Sequence, residues 1–118
     1  MCLTEELIDT YCRVWSDPNP ESRERLLRSV WADGATYTDP RVNALGASHL
    51  LIHIATVQAQ RPGAKVERTS RIDEHHHMGR FHWHVKLPDG STLPQGIDFF
   101  ELAGDGRIAR IVGFFGPL

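Results

Sequence analysis

The hydrophobic pattern changes its period once along the chain, at Arg61-Pro62-Gly63, and this change constrains the fold more than any other feature. Before it, apolar residues recur three or four positions apart, which is typical of amphipathic helices. After it, apolar and polar residues alternate in four successive segments, which is typical of half-buried strands. Helices followed by a meandering sheet predict an α+β fold. The 118 residues, with no repeat or linker, predict one domain spanning 1–118.

Three helices are predicted in the first half of the chain. Thr4 is the expected N-cap of the first helix, which runs to Ser16. The second helix covers SRERLLRSVW and is closed by Asp33-Gly34, after which ATYTD forms a short strand that stops at Pro40. The third helix follows Gly46 and covers ASHLLIHIATVQAQ.

Four strands are predicted in the second half: KVERTSRIDEHH, GRFHWHVKL, LPQGIDFFEL and GRIARIVGFFG. Turn-forming triplets centred on Met78, Asp89 and Asp105 separate them. Three helices are too few to cover both faces of a strongly curved sheet of about four or five strands. We therefore expect the sheet to wrap around the helices as a cone whose mouth is a pocket.

Charge and cysteine content exclude several classes of partner and location. A net charge of −2 and a pI near 6.4 provide no basic surface for nucleic acid or an anionic membrane, and no apolar segment approaches the length of a membrane span. Cys2 and Cys12 lack a paired spacing, so we expect free thiols in a reducing cytoplasm. The first residues lack the apolar core of a signal peptide, and none is expected.

The segment GIDFFEL places a carboxyl group where a buried apolar residue is expected. Strand alternation puts Asp98 on the same face as Phe100 and Leu102. Burial of an ionised carboxylate without partners costs several kcal/mol, and pairing or a raised pKa relieves that cost. Two interpretations stay open: a pocket acid that keeps its proton, or a structural acid bonded to its neighbours.

The order of the elements, with WADGATYTDP, GIDFFEL and the ending DGRIARIVGFFG, resembles the SnoaL-like branch of the NTF2-like superfamily over essentially the whole chain. The resemblance implies an NTF2-like cone, in which three N-terminal helices pack inside a curved, mixed or antiparallel β-sheet. It leaves the activity open, because this superfamily contains isomerases, cyclases, dehydratases, epoxide hydrolases and proteins that only bind ligands or partners.

Within that superfamily, the ketosteroid isomerases match best at the pocket residues. In that family a Tyr on the first helix and a carboxylic acid on a later strand donate hydrogen bonds to the substrate oxygen, and an Asp followed by Pro moves the proton. The resemblance therefore implies Tyr11 and Asp98 as donors and Asp39 as the base, acting without a cofactor on a small apolar carbonyl compound such as a polyketide, steroid or terpenoid. The alternatives are a ligand-binding domain without chemistry and a dimerisation domain.

Each candidate residue also has a simpler structural interpretation. Asp39 before a proline is a turn signal, and Tyr11, one turn before Trp15, fits a core aromatic. His53 fits a buried core histidine, although dehydratases of this superfamily use pocket histidines. The expected pocket wall comprises Trp15, Trp31, Tyr37, His53, Trp83, Phe100, Ile111 and Phe115.

Two further motifs are not expected to form sites. Consecutive histidines at His75-His76-His77 point to opposite sides, so we expect an exposed hairpin end and no functional metal site, opportunistic binding aside. His82 and His84 are expected on the outer sheet face, often a dimer interface in this superfamily, so a homodimer is expected. Arg71-Ile72-Asp73 is similar to the Arg-x-Asp of limonene epoxide hydrolases, but Gly113 stands where the second Asp belongs, which favours a surface ion pair or interface residues.

Overall fold

Three helices and seven strands form in the computed structural model, which describes residues 3–118. The helices are α1 (Leu3–Ser16), α2 (Pro20–Val30) and α3 (Ala47–Gln60). The strands are β1 (Trp31–Asp39), β2 (Val42–Leu45), β3 (Lys65–Arg68), β4 (Asp73–His75), β5 (Met78–Lys86), β6 (Gly96–Leu102) and β7 (Ile108–Phe115). The predicted α+β order is confirmed, and Cys2 lies outside the described residues.

Helices α1 and α2 begin differently from the prediction. Thr4 is not an N-cap: it lies within α1, and its hydroxyl donates a hydrogen bond of 2.9 Å to Glu74. Helix α2 begins at Pro20, whose missing N–H is harmless at that position, and the Asn19 side chain accepts the backbone N–H of Glu21 as N-cap. The first two helices are therefore joined by three residues, as DPN.

The start of β1 corrects the sequence prediction. Trp31 does not end the second helix but adopts an extended backbone, with φ −102° and ψ 119°, and opens β1. Asp33-Gly34 lies inside this strand, where the register against β7 shifts between Trp31 and Thr36 and Gly34 has φ 74°. The pair that resembles a helix stop is thus a β-bulge. Strand β2, which pairs with the end of β1, was not predicted.

The strands form one curved, mixed sheet in the order β2-β1-β7-β6-β5-β3, with β4 also paired to β5. The β1–β7 pair is parallel and the other named pairs are antiparallel. The expected four or five strands become seven because the hairpin partner β2 is added and KVERTSRIDEHH divides into β3 and β4. The helices pack in the sheet as the predicted cone. None of the described helices is long and apolar enough to cross a membrane.

Strand alternation correctly assigns the two faces of β5. Phe81, Trp83 and Val85 line the inside of the cone. On the outer face, His82 is exposed and His84 lies 2.9 Å from Glu67. An ion pair between Arg68 of β3 and Asp9 of α1, at 2.8 Å, joins the edge of the sheet to the first helix.

Candidate active site

A cavity of about 290 Å³ opens between α1, α3 and the concave face of the sheet. Most of its wall is apolar, and a few polar groups converge on it, which is the usual composition of a small-molecule site. Eight of the eleven predicted site residues line this cavity: Tyr11, Trp15, Tyr37, Asp39, His53, Trp83, Asp98 and Phe115.

Three predicted wall residues, Trp31, Phe100 and Ile111, do not line the cavity but lie in the core beneath it. Trp31 stacks against Tyr11 with ring centroids 6.0 Å apart, and Phe100 packs against Phe81 at 6.2 Å. Phe100 and Ile111 are fully buried and pair across β6 and β7. Alternation gives these side chains the correct face, but they lie deeper in the cone than the cavity floor. The indole N–H of Trp31 has no hydrogen-bond partner among the described residues.

Asp39 stands at the end of β1, where three donors hold its carboxyl group. One oxygen accepts the backbone N–H groups of Arg41 and Val42 at 2.7 and 3.1 Å, which is the turn geometry that an Asp before a proline predicts. The other oxygen accepts the Tyr37 hydroxyl at 2.6 Å. Because every donor points at the carboxyl group, it acts here as an acceptor only, as an ionised carboxylate does.

Asp98 occupies a different environment on β6. Its side chain accepts one hydrogen bond, from the indole N–H of Trp83 at 2.8 Å, and the residue is 5% exposed. Burial raises the pKa of Asp98 to about 8, the Trp83 hydrogen bond opposes this increase, and the negative charge of Asp39 adds to it. At neutral pH the carboxyl group of Asp98 therefore keeps its proton and can donate a hydrogen bond.

Both cavity tyrosines keep their hydroxyl protons. Burial raises the pKa of Tyr11 well above its ordinary value, Asp98 in its ionised form adds to the increase, and a hydrogen bond with Trp15 opposes it. Burial also raises the pKa of Tyr37, with Tyr11, Asp98 and Asp39 adding to it. Tyr37 donates its hydroxyl hydrogen bond to Asp39, whereas Tyr11 lines the same cavity as Asp98.

His53 of α3 lies in the cavity wall between two aromatic rings. Its ring is 5.9 Å from Trp15 and 6.4 Å from Tyr37, centroid to centroid. Its Nε2 is 3.9 Å from Asp39, too far for a hydrogen bond. Burial lowers the pKa of His53, which favours the neutral imidazole, while Asp39 opposes this change. It is therefore a wall residue close to the carboxylate rather than its hydrogen-bonded partner.

Gly113 of β7 provides the space in which these groups meet. A Cβ at this position would lie 2.8 Å from an Asp98 carboxyl oxygen and 3.6 Å from both the Asp39 Cβ and the Tyr37 hydroxyl. The three side chains thus surround one point on the middle strand. The sequence identified Gly113 only as the place of a missing second Asp.

The sequence did not single out Arg41, Gln58 and Arg61, which also line the cavity. Arg41 follows the Asp-Pro turn, where the sequence marked only the end of a strand, and Arg61 follows the last residue of α3, where it marked only the end of the helices. Gln58 joins α3 to the end of α1 and the loop after it by donating to the carbonyl oxygens of Trp15 and Asp17 at 2.8 Å each.

The histidine run and the Arg71-Ile72-Asp73 motif lie away from the cavity. His76 and His77 have positive φ angles of 51° and 63° at the exposed β4–β5 turn. Arg71 and Asp73 are 3.9 Å apart at the surface. No group of three or more His, Cys, Asp or Glu side chains within 3–118 is arranged to hold a metal ion. Cys12 of α1 is a buried free thiol, and burial raises its pKa.

Solved structures share this architecture. A putative isomerase of the SnoaL-like family from Agrobacterium tumefaciens str. C58 superposes with a TM-score of 0.90 at 28% identity, over 96% of this chain and 97% of that one. An NTF2-like protein of unknown function from Exiguobacterium sp. 255-15 gives 0.75 at 19% identity, over 95% and 99%. The chain belongs to the SnoaL-like/NTF2-like superfamily.

A further solved structure with this fold is a putative polyketide cyclase from Sinorhizobium meliloti, with a TM-score of 0.71 at 17% identity over 92% of this chain and 93% of that one. No protein-family model and no curated protein matches the sequence. The superfamily assignment therefore rests on the cone and its coverage of the whole chain, and the activity has to be argued from the cavity.

Proposed function

We propose that this protein is a cofactor-independent enzyme that transfers a proton within a small, largely apolar carbonyl compound of the polyketide, steroid or terpenoid kind. One observation carries the proposal: two carboxyl groups in contrasting environments line one apolar cavity. Asp39 accepts three hydrogen bonds, whereas Asp98 is buried beside a single donor. Contrasting environments of this kind separate the roles of base and acid, and the ketosteroid isomerases use a neutral carboxylic acid in the same way.

In the proposed reaction, Asp39 removes a proton from the carbon next to the carbonyl group. The electrons of the C–H bond form the enolate, whose oxygen accepts hydrogen bonds from Tyr11 and neutral Asp98. Donors placed where negative charge develops, in a cavity that excludes water, lower a barrier by about 3–4 kcal/mol each. Asp39 then returns the proton to a different carbon, so that isomerisation needs no co-reactant.

The names of related structures support this reaction class without selecting one reaction. One neighbour is described as a putative isomerase and another as a putative polyketide cyclase. Isomerisation, cyclisation and dehydration can all begin with the same abstraction of a proton next to a carbonyl group. We therefore place the proposal at this common first step.

Hydrogen–deuterium exchange tests this step directly. We expect the protein to incorporate deuterium next to the carbonyl group of some members of a panel of cyclic apolar ketones and β-keto compounds in D₂O, detected by mass spectrometry. Asp39→Asn should reduce the rate by about 10²-fold or more. The asparagine retains an oxygen for the two backbone N–H groups, so the variant is expected to fold.

The matched control is Asp33→Asn, because Asp33 is an exposed aspartate in the β1 bulge outside the cavity. This variant should incorporate deuterium into the ketones at the wild-type rate. Equal rates in wild-type protein and Asp39→Asn would rule out Asp39 as the base.

Ligand binding without chemistry is the second candidate, because the three hydrogen bonds to Asp39 also suit a structural acid. Saturable binding of a panel ketone, with no deuterium incorporation by any variant, would support this alternative. A dimerisation domain with a closed pocket is not favoured, because Trp15 and Trp83 line an open cavity rather than seal it.

We also propose a homodimer through the outer face of the sheet, and a cytoplasmic location. Phe114 supports the first, because it is 56% exposed on the face opposite the cavity. The free, buried thiol of Cys12 supports the second, because it needs no oxidising compartment.

A further inference from the structure

Two arginine side chains line the mouth of an otherwise mainly apolar cavity. Arg41 lies in the β1–β2 turn and Arg61 directly after α3, and both belong to the cavity wall. Six other arginines form ion pairs with carboxylates. Among the described residues, neither Arg41 nor Arg61 has a carboxylate within 4.0 Å, so two cationic groups face the cavity mouth without a protein anion.

The position of Arg41 is the more informative of the two. Its backbone N–H donates to Asp39, but its guanidinium does not pair with that carboxylate. It lies instead over the ring of Phe115, with Cζ 5.8 Å from the ring centroid. A guanidinium stacked on an aromatic ring keeps the donors along its edge available, and these match the two oxygens of a carboxylate.

Phe115 connects this arginine to the catalytic groups. Its ring packs edge-on against Trp83 at 5.6 Å, and Trp83 donates to Asp98. A continuous wall therefore runs from the neutral acid at the inner part of the cavity, through two aromatic rings, to a cation at the mouth. A ligand that follows this wall would present a carbonyl oxygen at one end and a negative charge at the other.

From this arrangement we infer that the cavity takes a carbonyl compound that also carries a carboxylate, and that Arg41 binds this carboxylate at the mouth, with Arg61 adding positive charge at the rim. Two features of the wall make this chemistry specific. The apolar middle section of the wall favours a ligand with an apolar body. The unpaired guanidinium of Arg41 attracts an anionic group on that ligand. The inference rests on the proposed function only in taking the cavity as the binding site.

A pair of near-isosteric probes tests the inference by isothermal titration calorimetry. The probes are 2-naphthylacetate and its neutral amide, 2-naphthylacetamide, which share one apolar body. Wild-type protein is expected to bind the carboxylate about tenfold more tightly, as a charge-assisted hydrogen-bonded pair provides. Arg41→Gln should raise the dissociation constant of the carboxylate to that of the amide, and Arg61→Gln should reduce the preference less.

Arg25→Gln is the control for net charge. Arg25 is exposed on α2 and does not line the cavity, so its loss removes one positive charge without touching the mouth. The control should keep the tenfold preference. An equal loss in Arg25→Gln and Arg41→Gln would overturn the inference, because the effect would then come from the overall charge.

The remaining outcomes separate this inference from the proposed function. Equal affinity of wild-type protein for both probes overturns the carboxylate inference alone. Binding of neither probe overturns the inference together with the cavity as a binding site for apolar compounds. A carboxylate preference that depends on Arg41, with no deuterium exchange in any ketone, supports the inference and overturns the enzyme proposal.

Discussion

At the scale of single residues, the site depends on an absent side chain. Asp39 on β1 and Asp98 on β6 are separated by β7, and Gly113 of β7 leaves the space between them free. Any side chain there would displace the Asp98 carboxyl group, since even a Cβ would approach it to 2.8 Å. Gly113, which replaces the second Asp of the limonene epoxide hydrolases, is thus also the residue that leaves room for Asp98 near Asp39.

The proton on Asp98 should be measurable as a pH dependence of stability. Asp98 takes up its proton near pH 8 in the folded protein and near pH 3.8 in a model peptide. Between these values the folded state holds one more proton than the unfolded state, so the free energy of unfolding falls as pH rises, by at most about 1.4 kcal/mol per pH unit.

Asp98→Asn removes this titration and serves as the comparison. In urea denaturation at constant ionic strength, the variant should gain stability relative to wild-type protein as pH rises from about 4 to about 8, and the difference should level off above pH 8. Deuterium exchange by wild-type protein should also decline above about pH 8, where Asp98 loses the proton that it donates. A stability difference that stays constant from pH 4 to 8 would contradict a neutral Asp98.

At the scale of elements, two strand glycines leave the space that two different aromatic rings occupy. A Cβ at Gly96 would lie 2.5 Å from the ring of Trp83, and a Cβ at Gly79 would lie 2.3 Å from the ring of Phe100. Neither glycine has a positive φ angle, so close packing rather than backbone conformation requires them. The two positions therefore form a matched pair.

Gly96→Ala and Gly79→Ala should both destabilise the protein, by about 1–3 kcal/mol from overpacking. Only Gly96→Ala is expected to reduce the rate at which the folded protein incorporates deuterium into the ketones. This change moves Trp83 away from Asp98, whereas Phe100 lies below the cavity. Exchange rates measured at a temperature where both variants are fully folded check this difference. Equal rates in the two variants would show that the Trp83–Asp98 hydrogen bond is unimportant for the reaction.

Sequence patterns predicted elements and faces better than boundaries and depths. The alternation of β5 and β6 correctly placed Trp83 and Asp98 inside the cone. It could not place Phe100, because a curved sheet narrows toward one end and the period of two carries no information about depth. Trp31 was misplaced for another reason: Asp33-Gly34 is equally typical of a helix end and of a β-bulge, and pairing with the distant β7 decides between them.

At the scale of the whole molecule, the outer face of the sheet offers the test of assembly. Phe114→Asp places a charge on this face, opposite the cavity, and is expected to convert a dimer into a monomer in sedimentation velocity. Ile52→Asp is the control, because Ile52 is an exposed apolar residue on α3 and not on the outer face of the sheet. A wild-type protein that sediments as a monomer would contradict the proposed homodimer.

The parallel pairing of β1 and β7 also has a consequence for the order in which the chain folds. Tyr37 and Ile111 are register partners although they are 74 positions apart in the numbering, and β7 must insert between β1 and β6 before the two aspartates can face each other. Contacts of such long range form late, because the loop they close is entropically costly. We therefore expect the acid and the base to face each other only after β7 has paired with β1, which is a late event in folding.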